Sequence, residues 1–259
     1  MARKSAKKRK LEAAVARIHA QFGPRSLTRG QTPAILGTPS DDGPAAIPHI
    51  STGFPELDAT LRIGGLPKGK ICELVGLPTS GKTTLALKFL AQAQAYGPVA
   101  YMDQARYFDA DYAHRCGVDL SQLIVGRPYD LTESLAATEA LVQSKSLSAL
   151  VFDVMGVLWS DASALEQFGA SLSRLSTLLA HSDTILLFVH DHDRGARSTP
   201  LAHHAALRLG VRRERWLQSH GDVRGYEARV EVLKNRLGPS GGATTIVIQF
   251  NGTVRGDGL

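Results

Sequence analysis

The chain has 259 residues, 43% of them apolar and 21% charged, the make-up of a globular protein long enough for one large α/β domain with an appendage. No stretch reaches the about 18 consecutive apolar residues of a membrane span, and no apolar segment follows the basic N-terminus, which argues against a spanning helix and a secretory leader and predicts a cytoplasmic location, with nucleoid association as a compatible one. Of the 30 Lys and Arg, six lie in MARKSAKKRK with no acid among them, and the 24 that remain balance the 24 Asp and Glu, so the body of the chain is formally neutral.

Residues 1–10 therefore read as a basic tail, either a solubilising terminus or a salt-sensitive phosphate anchor. Leu11, Val15, Ile18 and Phe22 recur at steps of four, three and four, which predicts one apolar stripe on a helix that Gly23 and Pro24 stop. So short a helix cannot bury its stripe alone. Residues 11–36 are accordingly expected to dock or to mediate self-association, chiefly through residues 11–23, and the Pro- and Gly-rich residues 37–49 form a linker.

From residue 50 to 259 apolar strands alternate with helical stretches: KICELVG, a helix from Lys82 to about Tyr96, PVAYMD, a helix over Asp109 to Cys116, LIVG, a helix over Thr132 to Ser144, ALVFD, a helix over Ala164 to His181, then ILLFVHD. This alternation predicts an α/β fold, a mostly parallel central sheet flanked by helices. Asp130 and Glu133 have the spacing of a capping box. ARVEVLKNR and TTIVIQF, joined by GPSGG, predict antiparallel strands that close the sheet. Cys72 and Cys116 have no metal-ligand spacing, and Cys72 lies in an apolar run where a buried thiol is expected.

GLPTSGKTT, from Gly76 through Leu77, Pro78, Thr79, Ser80, Gly81, Lys82 and Thr83 to Thr84, matches the phosphate-binding pattern G-x-x-x-x-G-K-[ST] between a strand and a helix. Glycines let backbone N–H groups turn toward phosphate oxygens, the helix N-terminus adds positive potential, Lys82 serves the terminal phosphates and the Thr83 hydroxyl suits magnesium. Asp153, at the end of ALVFD, is the second expected magnesium ligand. ATP and Mg2+ are thus the expected cofactors.

These motifs, in this order, make the chain similar to the RecA/RadA recombinase superfamily. LEAAVARIHAQFG resembles its polymerisation helix, and ISTGFPELDATLRIGGLPKGKICELVGLPTSGKTTLAL resembles the approach to its ATP loop. The resemblance implies a RecA-like P-loop ATPase core. It implies that Tyr112 stacks on adenine with Asp109 as its companion, and that Lys234 and Arg236 in EARVEVLKNR reach phosphates bound by an adjacent subunit. The sequence also departs from that pattern. YMDQARYFD has Ala105 where the family has its catalytic glutamate, and Gln104 is an amide that can orient water without accepting its proton. FVHDHD puts His190 and Asp191 in place of an Asn-Gln pair, so an acid faces the terminal phosphate.

Both DNA-loop regions are about a dozen residues short by alignment, and the family's C-terminal domain has no counterpart. Arg194, Arg197, Arg208 and Arg212 are the candidate DNA contacts that remain, with a solvated charged face as the competing reading. His190, His192, His203 and His204 fit no standard zinc spacing. Trp159 and Trp216 suit either base stacking or ordinary packing. An active DNA-dependent ATPase or recombinase would need the parts that have gone. A nucleotide-responsive accessory protein would keep those that stay, which makes the chain most similar to the ImuA group of RecA paralogues. That likeness implies RecA and a Y-family polymerase-like protein as partners in damage-induced mutagenesis, with DNA bound weakly or indirectly.

Overall fold

The computed structural model describes residues 47–154, 161–191, 199–220, 222–251 and 253–256, together with Ala16 and Ala20, both helical. The rest of the expected docking helix and the basic tail lie outside the described residues. The chain divides into two compact units, Met1–Ala45 and Ala46–Leu259, and the second carries the architecture that follows.

It opens with a small antiparallel pair, β1 (His49–Ile50) and β2 (Leu66–Pro67), spanned by helix α1 (Pro55–Leu61). The Asp58 carboxylate ties this segment down by accepting from the Thr52 backbone at 2.9 Å, the Thr52 hydroxyl at 2.7 Å and the Ser51 hydroxyl at 2.5 Å.

The central sheet is built on β3 (Ile71–Gly76), whose six residues are all buried. On one side β7 (Ile185–Asp191), β6 (Ala149–Asp153), β4 (Val99–Asp103) and β5 (Leu123–Gly126) follow in that spatial order, each parallel to the last. On the other side β8 (Leu207–Ser219) runs parallel to β3, and β9 (Asp222–Asn235), β10 (Ala243–Asn251) and β11 (Thr253–Gly256) continue antiparallel, nine strands in all among the described residues. Helices cover the parallel strands on both faces, which is why ALVF and ILLFV are unbroken apolar runs rather than alternating ones.

Side chains of β6 show the consequence. Val151 joins a core with α2 (Lys82–Ala93) through Leu85, Phe89 and Leu90, while Leu150 and Phe152 face a second core with α4 (Leu131–Gln143) and α5 (Ala162–Leu179) through Leu135, Phe168, Leu172 and Leu175. Each such fully buried side chain contributes about 1.5–3 kcal/mol. The helices begin where the sequence places polar caps. Asp130 accepts from the Glu133 N–H at 2.8 Å, and the Glu133 carboxylate answers by accepting from the N–H of Tyr129, one residue before the cap, at 2.6 Å. Asp161 caps α5 by accepting from the N–H groups of Ser163 and Ala164.

The basic stretch that holds the candidate DNA contacts Arg208 and Arg212 contains the short helix α6 (Pro200–His204) and then 13 residues of β8. Its run RRERW looks like loop because the outer half of β8 extends beyond the packed sheet and is largely exposed; only Leu207, Leu209, Gly210 and Val211 are buried.

Candidate functional site

The phosphate-binding loop joins β3 to α2 as expected, and two of its glycines are required by contact. A Cβ on Gly76 would lie 2.2 Å from the carbonyl oxygen of Val211 in β8. Gly81 has φ +104°, and a Cβ there would meet the Tyr226 hydroxyl at 2.9 Å. Only glycine combines that conformation with so close an approach. Helix α2 starts immediately with Lys82, and no side chain caps it, so its first N–H groups are left for a ligand.

Lys82 is buried, and its amine donates to the Leu77 carbonyl at 2.7 Å and the Ser80 hydroxyl at 3.3 Å. The same amine pairs with the Asp191 carboxylate at 2.8 Å. Asp191 ends β7 directly across the ladder from Gly76, so strand pairing alone delivers this acid to the loop. Residues Pro78 to Thr84 line a cavity of about 820 Å3 together with Ala105, Tyr107, Asp153, Asp191, Arg213, Trp216 and Tyr226.

Asp153 ends β6 and accepts from the Tyr101 hydroxyl at 2.7 Å. Burial pushes its carboxyl up to about 6, and the Asp103 and Asp191 carboxylates push the same way. Asp153 and the exposed Thr83 line the same cavity, and oxygen donors of this kind are those a hard divalent cation takes. Asp103 itself is committed to structure, accepting from the Tyr107 N–H at 2.9 Å and the Phe108 N–H at 3.2 Å and pairing with Arg127 at 3.3 Å. Beyond it Gln104 is buried, and Ala105 is part of the cavity lining.

The other expected residues are distributed more widely. Asp109 caps α3 (Ala110–Arg115) by accepting from the Tyr112 N–H at 3.0 Å. The Tyr112 hydroxyl lies 2.6 Å from that of Thr84, which joins Tyr112 to the first turn of α2; burial raises its pKa. Neither Asp109 nor Tyr112 lines the cavity, whereas Tyr226, unremarked in the sequence, does.

Lys234 donates to the carbonyls of Ala202 at 2.7 Å and His203 at 3.0 Å, and Arg236 donates to that of His203 at 2.6 Å. Both therefore clamp the C-terminal end of α6, beside a second cavity of about 350 Å3 that Lys70, His203, His204 and Arg236 help to line. Burial, with Arg236 and Arg208 nearby, lowers the Lys234 pKa.

Arg208 is turned to the interior: its guanidinium is ion-paired with the fully buried Glu73, and 19% of its side chain is exposed. Arg212 is at the surface, paired with Glu214 at 3.2 Å, and Arg194, Arg197, His192 and Trp159 lie outside the described residues. His190 is also buried on Glu73, at 2.8 Å. Among the described residues there is no group of three or more His, Cys, Asp or Glu placed to hold a metal ion in common.

Sequence reasoning missed the roof of the site. Arg213 donates to the Thr79 carbonyl at 3.1 Å and stacks over the half-exposed Trp216 ring at 4.2 Å, and Trp216 meets Tyr226 edge-on at 5.7 Å. The motif RRERW offers no local signal for this, because the contact exists only once the β8–β9 hairpin lies beside the loop.

Comparison with known proteins agrees with this architecture. Residues 9–183 match the family model described as the RecA N-terminal domain. The chain is 33% identical over 257 residues to Protein RecA of Caulobacter vibrioides, with 90% of this chain and 70% of the relative covered, and 32% identical over 257 residues to Protein RecA of Rhizobium rhizogenes, with 90% and 69% covered. Protein RecA of Bdellovibrio bacteriovorus is 33% identical over 260 residues, with 91% and 67% covered. A phosphate loop between β3 and α2, an acid at the end of β6 and matches that span nine-tenths of its length together place this chain in the RecA family.

Proposed function

We propose that this RecA-family protein binds ATP with magnesium and serves DNA repair as a nucleotide-responsive accessory factor rather than as a strand-exchange motor. The observation that carries the reading is Ala105, a methyl group in the cavity wall at the position where the resemblance calls for a water-activating carboxylate. Loss of a general base slows such chemistry by about 10²–10⁴.

In this reading the loop backbone and the N-terminus of α2 hold the phosphates, and Lys82 neutralises them. Thr83 and Asp153 hold magnesium, which supplies charge compensation at the phosphate oxygens. Gln104 is buried and Ala105 lines the cavity, so the two residues after Asp103 bring no carboxylate to it. Binding is retained and turnover is slow. A bound nucleotide then acts by setting a shape for a partner.

The finer assignment follows the sequence likeness to the ImuA group: action with RecA and a Y-family polymerase-like protein in damage-induced translesion synthesis, in the cytoplasm, with DNA contact weak or indirect. No helix among the described residues is long and apolar enough to cross a membrane. The alternative, a DNA-dependent ATPase active in homologous recombination, is favoured by the identity to proteins named RecA.

Three measurements test this reading. Fluorescent-nucleotide titration should show binding that Lys82→Ala abolishes. ATP turnover with and without single-stranded DNA should be slow and unstimulated. DNA-stimulated turnover at the rate of an authentic RecA protein would establish the alternative, and a pull-down of RecA that ignores nucleotide would remove the accessory role.

A further inference from the structure

We propose that Asp191 makes this site discriminate against the third phosphate, so that it holds a nucleoside diphosphate in preference to a triphosphate. The inference rests on the nucleotide site of the preceding reading and names its preferred ligand class.

A lysine ammonium has three protons to donate. On Lys82 one goes to the Leu77 carbonyl, one to the Ser80 hydroxyl and the third to the Asp191 carboxylate, at 2.7, 3.3 and 2.8 Å. The first two partners are neutral and belong to the loop itself. Asp191 alone brings a full negative charge. Lys82 is 6% exposed at its side chain and Asp191 55%, so the amine is held inside the loop while the acid stands in the mouth of the cavity.

The lysine of such a loop serves the β- and γ-phosphates. A diphosphate is held by the loop N–H groups and the uncapped start of α2, and it brings one phosphate fewer to the amine that Asp191 neutralises. A triphosphate adds further negative charge beside the very amine that Asp191 neutralises, with the Asp153 carboxylate in the same cavity wall. Either Lys82 gives up its ion pair or the two anions sit within a few ångströms of each other, and repulsion between like charges at that separation, discounted for the exposure of Asp191, costs on the order of tenfold in affinity. Ala105 adds nothing to offset the cost, being unable to donate a hydrogen bond from its side chain.

The test is titration of the full-length chain with ADP and with the non-hydrolysable triphosphate AMP-PNP, magnesium present, at about pH 7.5. Wild type should bind ADP at least about tenfold more tightly. Asp191→Asn should close that gap by improving AMP-PNP binding, with ADP changed by less than about threefold. Asp191→Glu, which keeps the charge, should keep the gap and guards against a general effect of altering the site.

Equal or tighter binding of AMP-PNP by wild type overturns the proposal, as does a gap that survives in Asp191→Asn. If wild type binds neither nucleotide, the nucleotide-binding reading falls and this inference with it, an outcome distinct from equal affinities. If Asp191→Asn instead lowers ATP turnover with the affinity ratio unmoved, Asp191 is a general base and the discrimination is refuted.

Discussion

The Tyr226 hydroxyl lies 3.0 Å from the hydroxyl of Thr84, a residue 142 positions earlier, and so fastens the β8–β9 hairpin to the first turn of the phosphate-loop helix. Tyr112 reaches the same Thr84 oxygen at 2.6 Å, so that two phenols from distant segments converge on one threonine. Tyr226→Phe removes one of these bonds without opening a cavity and should cost about 1 kcal/mol in urea-unfolding experiments. Gly81→Ala should be far worse for nucleotide binding, since its backbone has φ +104° and the new methyl would meet Tyr226. Titration of both variants with a fluorescent nucleotide checks the contrast.

Glu73 is the buried anion of the sheet, fully enclosed, with His190 at 2.8 Å and the Arg208 guanidinium upon it. Burial alone would raise its pKa, but the hydrogen bonds from His190 and Arg208 outweigh burial and lower it. Removing one member of such a pair leaves an uncompensated charge in the interior. Glu73→Ala should therefore destabilise the fold by about 3–5 kcal/mol, read from the shift in the urea midpoint.

Asp153 should make the metal-free protein more stable in mild acid than at neutrality. Its folded pKa of about 6 lies above the unfolded carboxyl value of about 3.9, so the native state binds more protons between those limits. Stability then declines as pH rises through that window and is lowest above it. Thermal melting of metal-free protein at about pH 5 and pH 7.5 should show this slope, and Asp153→Asn should flatten it. Magnesium should raise Tm more at the higher pH, where the carboxylate is charged.

Ala105→Glu should restore a proton acceptor to the cavity wall. If the missing base limits turnover, ATP hydrolysis by this variant should rise by about 10²–10⁴-fold over wild type, with nucleotide affinity changed much less. Ala105→Gln, an amide of the same size, should not reproduce the gain. A steady-state phosphate-release assay on the three proteins decides it.

The features legible in the sequence were those whose physics is local. Gly76 to Thr84 announces itself because glycine, lysine and hydroxyl spacing must suit a phosphate within one turn, and Asp153 because an apolar strand ends there. The two-sided burial of the sheet shows in ALVF and ILLFV, and the cap at Asp130 shows in its spacing to Glu133. Ala105 could be read as a substitution only because Asp103 precedes it in a recognisable strand.

Arg208, by contrast, looked like one more surface cation in a basic stretch, and its ion pair with Glu73 spans 135 residues. The β3–β8 pairing brings them together, and nothing in LRLGVRRERW marks one arginine as interior. Tyr226 over Gly81, Arg213 on Thr79 and Asp191 on Lys82 arise in the same way, from strands that become neighbours only in the folded sheet. Short-range spacing is enough to specify a glycine-rich loop between a strand and a helix. Which charges meet around that loop depends on strand order and register, because those pairings are long-range and leave no periodic trace in the sequence.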